Sequence, residues 1–195
     1  ALTADRWYQR VTTSDLLGFD CVETSNVIKV TVNNFVPGNI DEDQTICENT
    51  APAPLTSTTP SGDGIFTYRW FRSTDGLLFG VIGTAVSETY SPGLLIQDTW
   101  YFREVKSTLG TNSCIARTDT ILITVNNFDP GSITGTQTIC EGVDPAVFGS
   151  VLPTVDGAYT YQWQESPDGI AFTDLTGETA ATFDPPALSA DTWYK

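Results

Sequence analysis

Cysteines and acidic residues are the side chains in this sequence that could carry chemistry. The chain has four cysteines and no histidine, so neither a Ser-His-Asp nor a Cys-His arrangement can be built within it. The cysteines are Cys21, Cys47, Cys114 and Cys140, and they include no Cys-x-x-Cys pair, which disfavours a zinc site. We therefore expect no nucleophilic catalysis, no enzyme activity and no cofactor.

Carboxylates offer two further possibilities. Glycoside hydrolysis needs a pair of them, but most acidic residues of this chain fall in turn-like segments and differ between its internal sequence repeats. Asp41, Glu42 and Asp43 form a cluster that could bind calcium. The equivalent positions of the next repeat, residues 134–136, carry no carboxylate. A solvated acidic turn is thus the preferred interpretation, with calcium as the weaker alternative.

Identical residues recur at a spacing of 93 along the whole chain. The positions that carry the pattern are Trp7, Trp100 and Trp193; Cys21 and Cys114; Cys47 and Cys140; and Trp70 and Trp163. The segment Thr-Val-Asn-Asn-Phe at 31–35 recurs at 124–128, and Gln-Thr-Ile-Cys-Glu at 44–48 recurs at 137–141. The sequence predicts the C-terminal part of one repeat in residues 1–35, a complete repeat in 36–128 and the N-terminal part of a third in 129–195.

Short alternating segments predict β-strands within each repeat. In residues 66–72, Tyr68 and Trp70 share one face, and the equivalent Tyr161 and Trp163 do so in the third repeat, so we expect these aromatic side chains in the core. In residues 100–106 large side chains occupy both faces, and the inner face stays unassigned although Tyr101 is a core candidate. Trp7, Trp100 and Trp193 are undecided between core and surface.

Turn signals separate these strands at regular intervals. Asp-Gly pairs follow the Trp70 and Trp163 strands, and Pro-Gly pairs at 37–38 and 130–131 mark the junctions between repeats. About seven short strands per repeat predict an all-β fold of tandem antiparallel sandwiches.

The charge balance limits the kinds of molecule that could bind this chain. With 24 acidic and 9 basic residues, the formal net charge is −15. Such a surface repels phosphate backbones and anionic membranes, so we expect no nucleic acid partner. No apolar run approaches the roughly 20 residues that span a bilayer, which predicts no direct membrane insertion.

Several of these residues resemble a known architecture. Cys47, Trp70, the segment Asp-Thr-Trp-Tyr at 98–101 and Cys114 resemble an immunoglobulin-like or PKD-like sandwich, with Tyr101 in the place of a tyrosine corner. The strings at 130–142, 161–164 and 191–194 resemble the repeats of giant cell-surface proteins of Bacteroidetes. Gliding-motility adhesins exported by the type IX secretion system belong to that group. The resemblance implies an extracellular stalk or adhesive fibre and supplies no catalytic residue.

An exported protein with one cysteine pair per repeat would be expected to form disulfides. Pairing within a repeat would join Cys47 to Cys114, which we prefer. The alternative pairing joins Cys21 to Cys47 and Cys114 to Cys140. Cys47 and Cys114 lie away from the usual immunoglobulin positions. The two pairings therefore stay open.

The sequence thus favours a structural or adhesive repeat region of a large secreted cell-surface adhesin. The alternatives are a carbohydrate- or protein-binding module, and accessory repeats of a secreted hydrolase. The expected partners are neighbouring repeats of the same chain, and surface polysaccharide or other cell-surface proteins.

Overall fold

The computed structural model describes residues 1–40 and 42–195. Every regular element in that described part is a β-strand. It contains no helix that is long and apolar enough to cross a membrane. The chain divides into two compact units. Ala1–Gln44, Pro52–Gly93 and Asp98–Ile123 form the first unit, and Thr45–Ala51, Leu94–Gln97 and Thr124–Lys195 form the second.

The N-terminal residues form a long antiparallel hairpin, which we call the N-terminal hairpin (residues 6–33). Its strands are β1 (Arg6–Tyr8), β2 (Val11–Leu16), β3 (Phe19–Thr24) and β4 (Ile28–Val30). Strand β2 pairs with β3 around the Leu17-Gly18 turn, and β1 pairs with β4. All four strands are exposed along their whole length.

The complete repeat builds one large sheet. Its strands are β5 (Phe35–Val36), β6 (Gln44–Cys47), β7 (Ser61–Gly62), β8 (Ile65–Ser73), β9 (Gly80–Ile82), β10 (Thr99–Leu109), β11 (Asn112–Arg117) and β12 (Ile121–Asn126). The order across the sheet is β6-β12-β10-β8-β9, and β11 pairs with the C-terminal half of β10. Strands β11 and β12 therefore follow one another along the same edge of β10.

Strand β10 is covered on both faces. Tyr101, Val105 and Ser107 are buried on one side, while Phe102 is buried on the other, where it stacks on Phe71 at 4.8 Å between ring centroids. This explains why alternation alone assigned no inner face to this segment. On β12 the buried side chains do alternate, at Ile121, Ile123 and Val125.

A second, sparser layer faces this sheet. Strand β5 pairs with β7, and isolated bridges join Ile40 to Ser57 and Leu55 to Tyr90. Leu55 is fully buried in this layer, and Tyr90 packs on Trp70 at 5.7 Å between ring centroids. A sheet centred on β12, β10 and β8 with a second antiparallel layer over it is the immunoglobulin-like sandwich, which confirms the predicted all-β fold class.

The last third of the chain repeats the first part of this pattern. Its strands are β13 (Phe128–Asp129), β14 (Ser132–Thr134), β15 (Gly149–Val151), β16 (Thr154–Val155), β17 (Gln164–Ser166), β18 (Thr173–Asp174) and β19 (Trp193–Tyr194). Strand β13 pairs with β16 as β5 pairs with β7, 93 residues earlier. Strand β17 pairs with β18 and β19, as β8 pairs with β9 and β10.

Candidate functional site at the repeat junctions

The recurrent Asn-Asn pair lies where one sequence repeat passes into the next. The Asn34 N–H donates to the Asp63 carboxylate at 3.3 Å, and the Asp63 N–H donates back to the Asn34 carbonyl at 2.7 Å. Asn33 exchanges two hydrogen bonds with Ser107: its Nδ2 donates to the Ser107 carbonyl at 3.2 Å and its Oδ1 accepts from Ser107 Oγ at 3.0 Å. Ser107 Oγ also lies 2.6 Å from the Asp63 carbonyl. We call these contacts the Asn-Asp clamp.

The contact between asparagine and aspartate in this clamp recurs at the second junction. The Asn127 N–H and Nδ2 both donate to Asp156 Oδ2, at 3.0 and 2.8 Å, and the Asp156 N–H donates to the Asn127 carbonyl at 3.2 Å. The two hydrogen bonds to the carboxylate, the backbone one first, hold the pKa of the Asp156 carboxyl below its usual range. The recurrence of the motif Thr-Val-Asn-Asn-Phe thus has a structural cause, although its contact lies 29 residues further along the chain.

The Pro-Gly pair that follows each clamp needs its glycine. Gly38 has a φ of 75° and Gly131 a φ of 73°, in the left-handed region that side chains disfavour. A Cβ at Gly38 would collide with the Thr58 carbonyl oxygen, and one at Gly131 would collide with that of Val151. The chain can therefore pass this closely to the neighbouring segment only with glycine at these positions.

Arg103 lies on β10, the strand that also carries Ser107, and is buried with 0% of its surface exposed. Its guanidinium donates to Ser57 Oγ, to the Glu88 and Pro37 carbonyls at 2.8 Å each, and to the Thr58 carbonyl at 3.3 Å. The guanidinium carbon also lies 5.1 Å from the centroid of the Tyr68 ring. This side chain ties the large sheet to the layer that faces it.

Burial has opposite effects on the two ionisable side chains of this core. It lowers the pKa of the Arg103 guanidinium, against the opposing influence of Tyr68 and Glu88. It raises the pKa of Tyr101 to about 12. At a pKa of about 12 the Tyr101 hydroxyl stays protonated across the physiological range.

Sequence reasoning missed Arg103 because arginine is seldom fully buried. A signal was nevertheless present, since Arg10 occupies the equivalent position 93 residues earlier. Their backbones are alike: the Arg10 N–H donates to Ser25 Oγ at 2.8 Å, and the Arg103 N–H donates to Thr118 Oγ1 at 3.0 Å. Arg10 itself is exposed on the N-terminal hairpin.

The tryptophans predicted in the core have matching surroundings. Trp70 is fully buried and its indole N–H donates to the Ser87 carbonyl at 3.0 Å. Trp163 is also buried, and its indole N–H donates to the Ala180 carbonyl at 2.9 Å. Their tyrosine neighbours Tyr68 and Tyr161 are half-buried. The two environments are thus equivalent at the level of single hydrogen bonds.

The other recurrent tryptophans lie at the surface. Trp7 is 63% exposed and Trp193 is 46% exposed, while Trp100 is half-buried. Gly76 and Gly169, in the two Asp-Gly turns, come so close to Trp100 and Trp193 that an added Cβ would lie 3.3 Å from the indole. The indoles of Trp100 and Trp193 therefore lie against the turns of their own repeats.

The carboxylates of these turns hold backbone N–H groups. Asp75 accepts hydrogen bonds from the Ser73 hydroxyl at 2.6 Å and from the Leu77 and Leu78 N–H groups at 2.8 Å each. These bonds, that of the hydroxyl first, lower the pKa of Asp75 to about 2. Asp168 repeats the arrangement with Ser166, and hydrogen bonding lowers its pKa too. These acids therefore stabilise turns.

The predicted disulfides are not formed in the structure. Cys21, Cys47, Cys114 and Cys140 are all free and exposed. Cys114 lies opposite Ser107 near the turn that joins β10 to β11, whereas Cys47 ends β6, which neighbours β12. Strands β6 and β11 do not pair with each other, and Cys47 and Cys114 are not bonded to one another.

We expect all four thiols of the native chain to react with a thiol reagent such as DTNB without denaturant, because each is exposed. The measurement is the thiol equivalents released before and after addition of guanidinium, with a reduced and alkylated sample as the control. Equal values are expected. Two or fewer thiol equivalents in the denatured, unreduced chain would show that at least one disulfide is present.

The acidic cluster offers no assembled cation site in the described residues. Asp41 lies outside them. Glu42 is exposed, and Asp43 Oδ1 accepts a hydrogen bond from the Leu122 N–H at 2.7 Å. No group of three or more metal-binding side chains comes together within residues 1–40 and 42–195.

The second clamp gives a prediction for pH. Because the pKa of Asp156 is depressed in the folded chain, its contribution to stability is complete above the unfolded value of about 3.9 and is lost as the pH falls through the folded value. The Asn127 amide resonance should therefore titrate with a midpoint below about 3.9 in NMR spectra. In an Asp156→Asn variant, which keeps an acceptor but does not titrate, that shift should disappear. A midpoint at or above about 3.9 would contradict the clamp.

A family model matches most of the chain. It is described as a domain of unknown function (DUF8696), and it matches residues 36–127 and again residues 129–195. No curated protein matches the chain. Among solved structures, the N-terminal four Ig domains of Dscam1 isoform 6.9 match 93% of this chain with 17% identity and a TM-score of 0.37. The chain spans about half of that structure's length, 47%.

Proposed function

The chain belongs to the DUF8696 family, and we propose that its tandem immunoglobulin-like repeats form a non-catalytic spacer in a secreted cell-surface protein. The observation that carries this proposal is the asparagine–aspartate contact of the Asn-Asp clamp, which occurs at both junctions. The clamp fixes the residues that join one sequence repeat to the next, and ordered joining residues suit a stalk or adhesive fibre. The resemblance to repeats of Bacteroidetes surface adhesins supports the same role and an extracellular location.

Further support comes from the surface. Recurrent acids, at Asp75 and Asp168, stabilise turns, and the strong net negative charge keeps long arrays apart in solution. Many of the side chains that recur between repeats lie in the core, the turns and the junctions, while the recurrent cysteines and the indoles of Trp7 and Trp193 are exposed. Selection for a repeated mechanical unit would produce this distribution.

The test is the mobility of the junctions. Backbone ¹⁵N relaxation on the full chain should give residues 33–36 and 126–129 order parameters near those of the strands, about 0.85. Asp156→Ala should lower the values at 126–129, while the matched substitution Asp144→Ala, at an exposed acid away from the junction, should not. Values below about 0.6 in the unaltered chain would contradict a rigid spacer.

A second function is favoured by one observation, the exposed indoles of Trp7 and Trp193. An exposed tryptophan can stack on a sugar ring, so the same repeats could bind surface polysaccharide. A glycan array probed with the full chain and with Trp7→Ala and Trp193→Ala variants separates the two functions. Binding that is lost in both variants supports the carbohydrate-binding module, whereas a spacer gives no signal.

A further inference from the structure

The large sheet of the complete repeat has an outer face that points away from the second layer. On β10, Tyr101 is buried and packs on Tyr90 of that layer, with 6.0 Å between ring centroids. Phe102, Glu104 and Lys106 alternate with the inward residues and therefore lie on the outer face. The registers of β8, β9 and β11 add their own outward residues to it in rows. These four strands lie in one compact unit and wholly within residues 36–128.

One row of this outer face is basic. Arg69 of β8 and Arg117 of β11 lie opposite Glu104 on its two sides. Neighbouring strands are about 4.8 Å apart, so the backbones of the two arginines are about 10 Å apart. Lys106 is the next outward residue along β10. Three of the chain's nine basic residues therefore surround Glu104, which is the only acidic residue of the strands β8 to β11.

These three cations keep most of their donors free. Arg69 and Lys106 are exposed, and neither forms an ion pair within the described residues. The side chain of Arg117 is 62% exposed but is held in place, since its Nε lies 3.5 Å from the Glu104 carboxylate and its guanidinium carbon lies 4.9 Å from the centroid of the Phe102 ring. The ion pair occupies Nε, so the two terminal nitrogens of this guanidinium can donate to an external acceptor.

An apolar row lies beside the basic one. Val81, Phe71 and Phe102 face one another across β9, β8 and β10. Phe102 is only 5% exposed because Phe71 stacks on it and Phe79 packs against it, with 4.8 and 4.9 Å between ring centroids. Phe71 and Phe79 are half-buried, and Val81 is 56% exposed. The surface next to the cations is therefore aromatic and aliphatic.

The basic row is not a feature of the repeat in general. The equivalents of its three cations, at the spacing of 93, are Gln162, Thr13 and Thr24, and none of them is charged. A basic face that the fold required would recur, as the core tryptophans and the glycines of the turns do. Its presence in one repeat alone points to a binding role that is separate from the folding of the sandwich.

A polymer of sugars with carboxylates on some of its rings matches both rows. A guanidinium binds a carboxylate through two parallel hydrogen bonds, and an ammonium adds a further positive charge. The C–H groups of a sugar ring can pack on an aromatic side chain such as Phe71. The hydroxyl groups of the sugar stay in water above an open sheet face, so they need no partner from the protein.

Two other kinds of polyanion match less well. Nucleic acid carries a phosphate on every nucleotide, and the phosphates beyond these three cations would face a molecule with a net charge of −15. An acidic peptide would find no backbone partners on this face, because the backbone groups of β8 and β10 already pair with each other. A sugar polymer of low charge density needs cations at only a few points.

We propose that the outer face of the large sheet binds an acidic polysaccharide. Arg69, Arg117 and Lys106 hold the carboxylates of its uronate residues, and a neighbouring sugar ring packs on Phe71 and Val81. The proposal goes beyond the spacer role and does not depend on it. It also differs from binding at the exposed indoles, because it places the glycan on another surface and requires the glycan to be charged.

Biolayer interferometry of the full chain on immobilised polygalacturonate tests the binding. The matched control is the same polymer after complete methyl esterification, which keeps the sugar rings and removes the charges. We expect the ester to bind about tenfold more weakly or less, because hydrogen bonds to a charged group are the stronger ones. The absence of binding overturns the proposal, and so does equal affinity for the two polymers. Tighter binding of polyglutamate or of oligothymidylate than of polygalacturonate also overturns it.

Two arginines of β8 provide matched variants. Arg69 lies on the outer face, whereas the exposed Arg72 lies opposite Tyr101 and so on the other face of the same strand. Arg69→Ala and Arg72→Ala change the net charge equally. Arg69→Ala should weaken the binding of polygalacturonate about tenfold, and Arg72→Ala should leave it within about twofold of the unaltered chain. Arg117→Lys should also weaken it, because an ammonium lacks the fork of donors. Equal affinities of Arg69→Ala and Arg72→Ala overturn the proposal.

The apolar row and the exposed indoles are separated by a last set of variants. Phe71→Ala should weaken binding, and Val81→Ser replaces it as the test if circular dichroism shows that Phe71→Ala has lost its β-structure. Trp7→Ala and Trp193→Ala should bind polygalacturonate as the unaltered chain does. Loss of binding in these two variants, with Arg69→Ala unaffected, overturns the proposal and assigns the glycan to the indoles.

Discussion

Replacement of Arg103 by alanine is expected to lower the free energy of unfolding of the complete repeat by about 3 to 5 kcal/mol. The reason is the set of acceptors that the guanidinium leaves behind, since each buried acceptor without a donor costs about 1 to 3 kcal/mol. Three of them are main-chain carbonyls, those of Pro37, Thr58 and Glu88, which cannot turn toward other donors. The loss also opens a cavity between the two layers of the sandwich.

The measurement for Arg103 must be local, because a chain of several units need not unfold in one step. Hydrogen exchange followed by mass spectrometry reports the opening free energy of residues 36–128 separately. Arg10→Ala is the matched control, since it removes the same side chain from an equivalent but exposed position, and it should leave these residues unchanged in dilute solution. In Arg103→Lys the protection of residues 36–128 should lie between that in Arg103→Ala and that in Arg10→Ala, because one ammonium cannot donate to all the acceptors. Similar protection in Arg103→Ala and Arg10→Ala would contradict the role of Arg103 in joining the two layers of the sandwich.

The fold class followed from the sequence because its signals are local and are present more than once. Tyr68 and Trp70 lie on one face of a strand in one repeat, and Tyr161 and Trp163 do so in the next, so an accidental alternation can be discounted. The Pro-Gly pairs were equally informative, since a left-handed φ and a close backbone approach leave glycine as the residue that fits.

The parts that sequence reasoning missed depend on contacts between distant segments. Strand β10 is central in its sheet and has apolar groups packed on both faces, so no alternation marks its inner side. The Asn-Asn motif was recognised as recurrent, but its partners Asp63 and Ser107 lie 29 and 74 residues away. Only the fold brings these segments together. The role of the motif at the junction therefore could not be derived from the sequence.

The cysteines show the reverse error. Their regular recurrence suggested a cross-link, yet recurrence at a fixed spacing says only that each cysteine has the same place in its own repeat. Cys21 and Cys114 both lie on the second strand of a hairpin, opposite Ser14 and Ser107. Neither predicted pairing, Cys47 with Cys114 or Cys21 with Cys47 and Cys114 with Cys140, is formed, and the structure leaves all four cysteines free.

Replacement of Trp70 by alanine is the other change with a large expected effect, a loss of about 3 to 5 kcal/mol in the free energy of unfolding of the complete repeat. Trp70 is fully buried, packs on Tyr90 at 5.7 Å between ring centroids and donates its indole N–H to the Ser87 carbonyl. Trp70→Phe keeps much of the ring but removes the donor, and it should cost about 1 to 3 kcal/mol. The readout is again hydrogen exchange of residues 36–128.

Trp7 supplies the matched control for this series, because its indole is 63% exposed and Trp7→Ala should leave the exchange of residues 36–128 unchanged. Trp163→Ala tests whether the two buried tryptophans are equivalent in energy as well as in geometry. Trp163 contacts Phe148 and Phe183, whose equivalents at the spacing of 93 are Leu55 and Tyr90. The larger Phe148 thus replaces Leu55, and the cavity left by alanine has aromatic walls. We expect residues 129–195 to lose protection with Trp163→Ala while residues 36–128 keep theirs. If either substitution lowered the protection of both segments equally, the repeats would share one core and could not serve as separate units of a spacer.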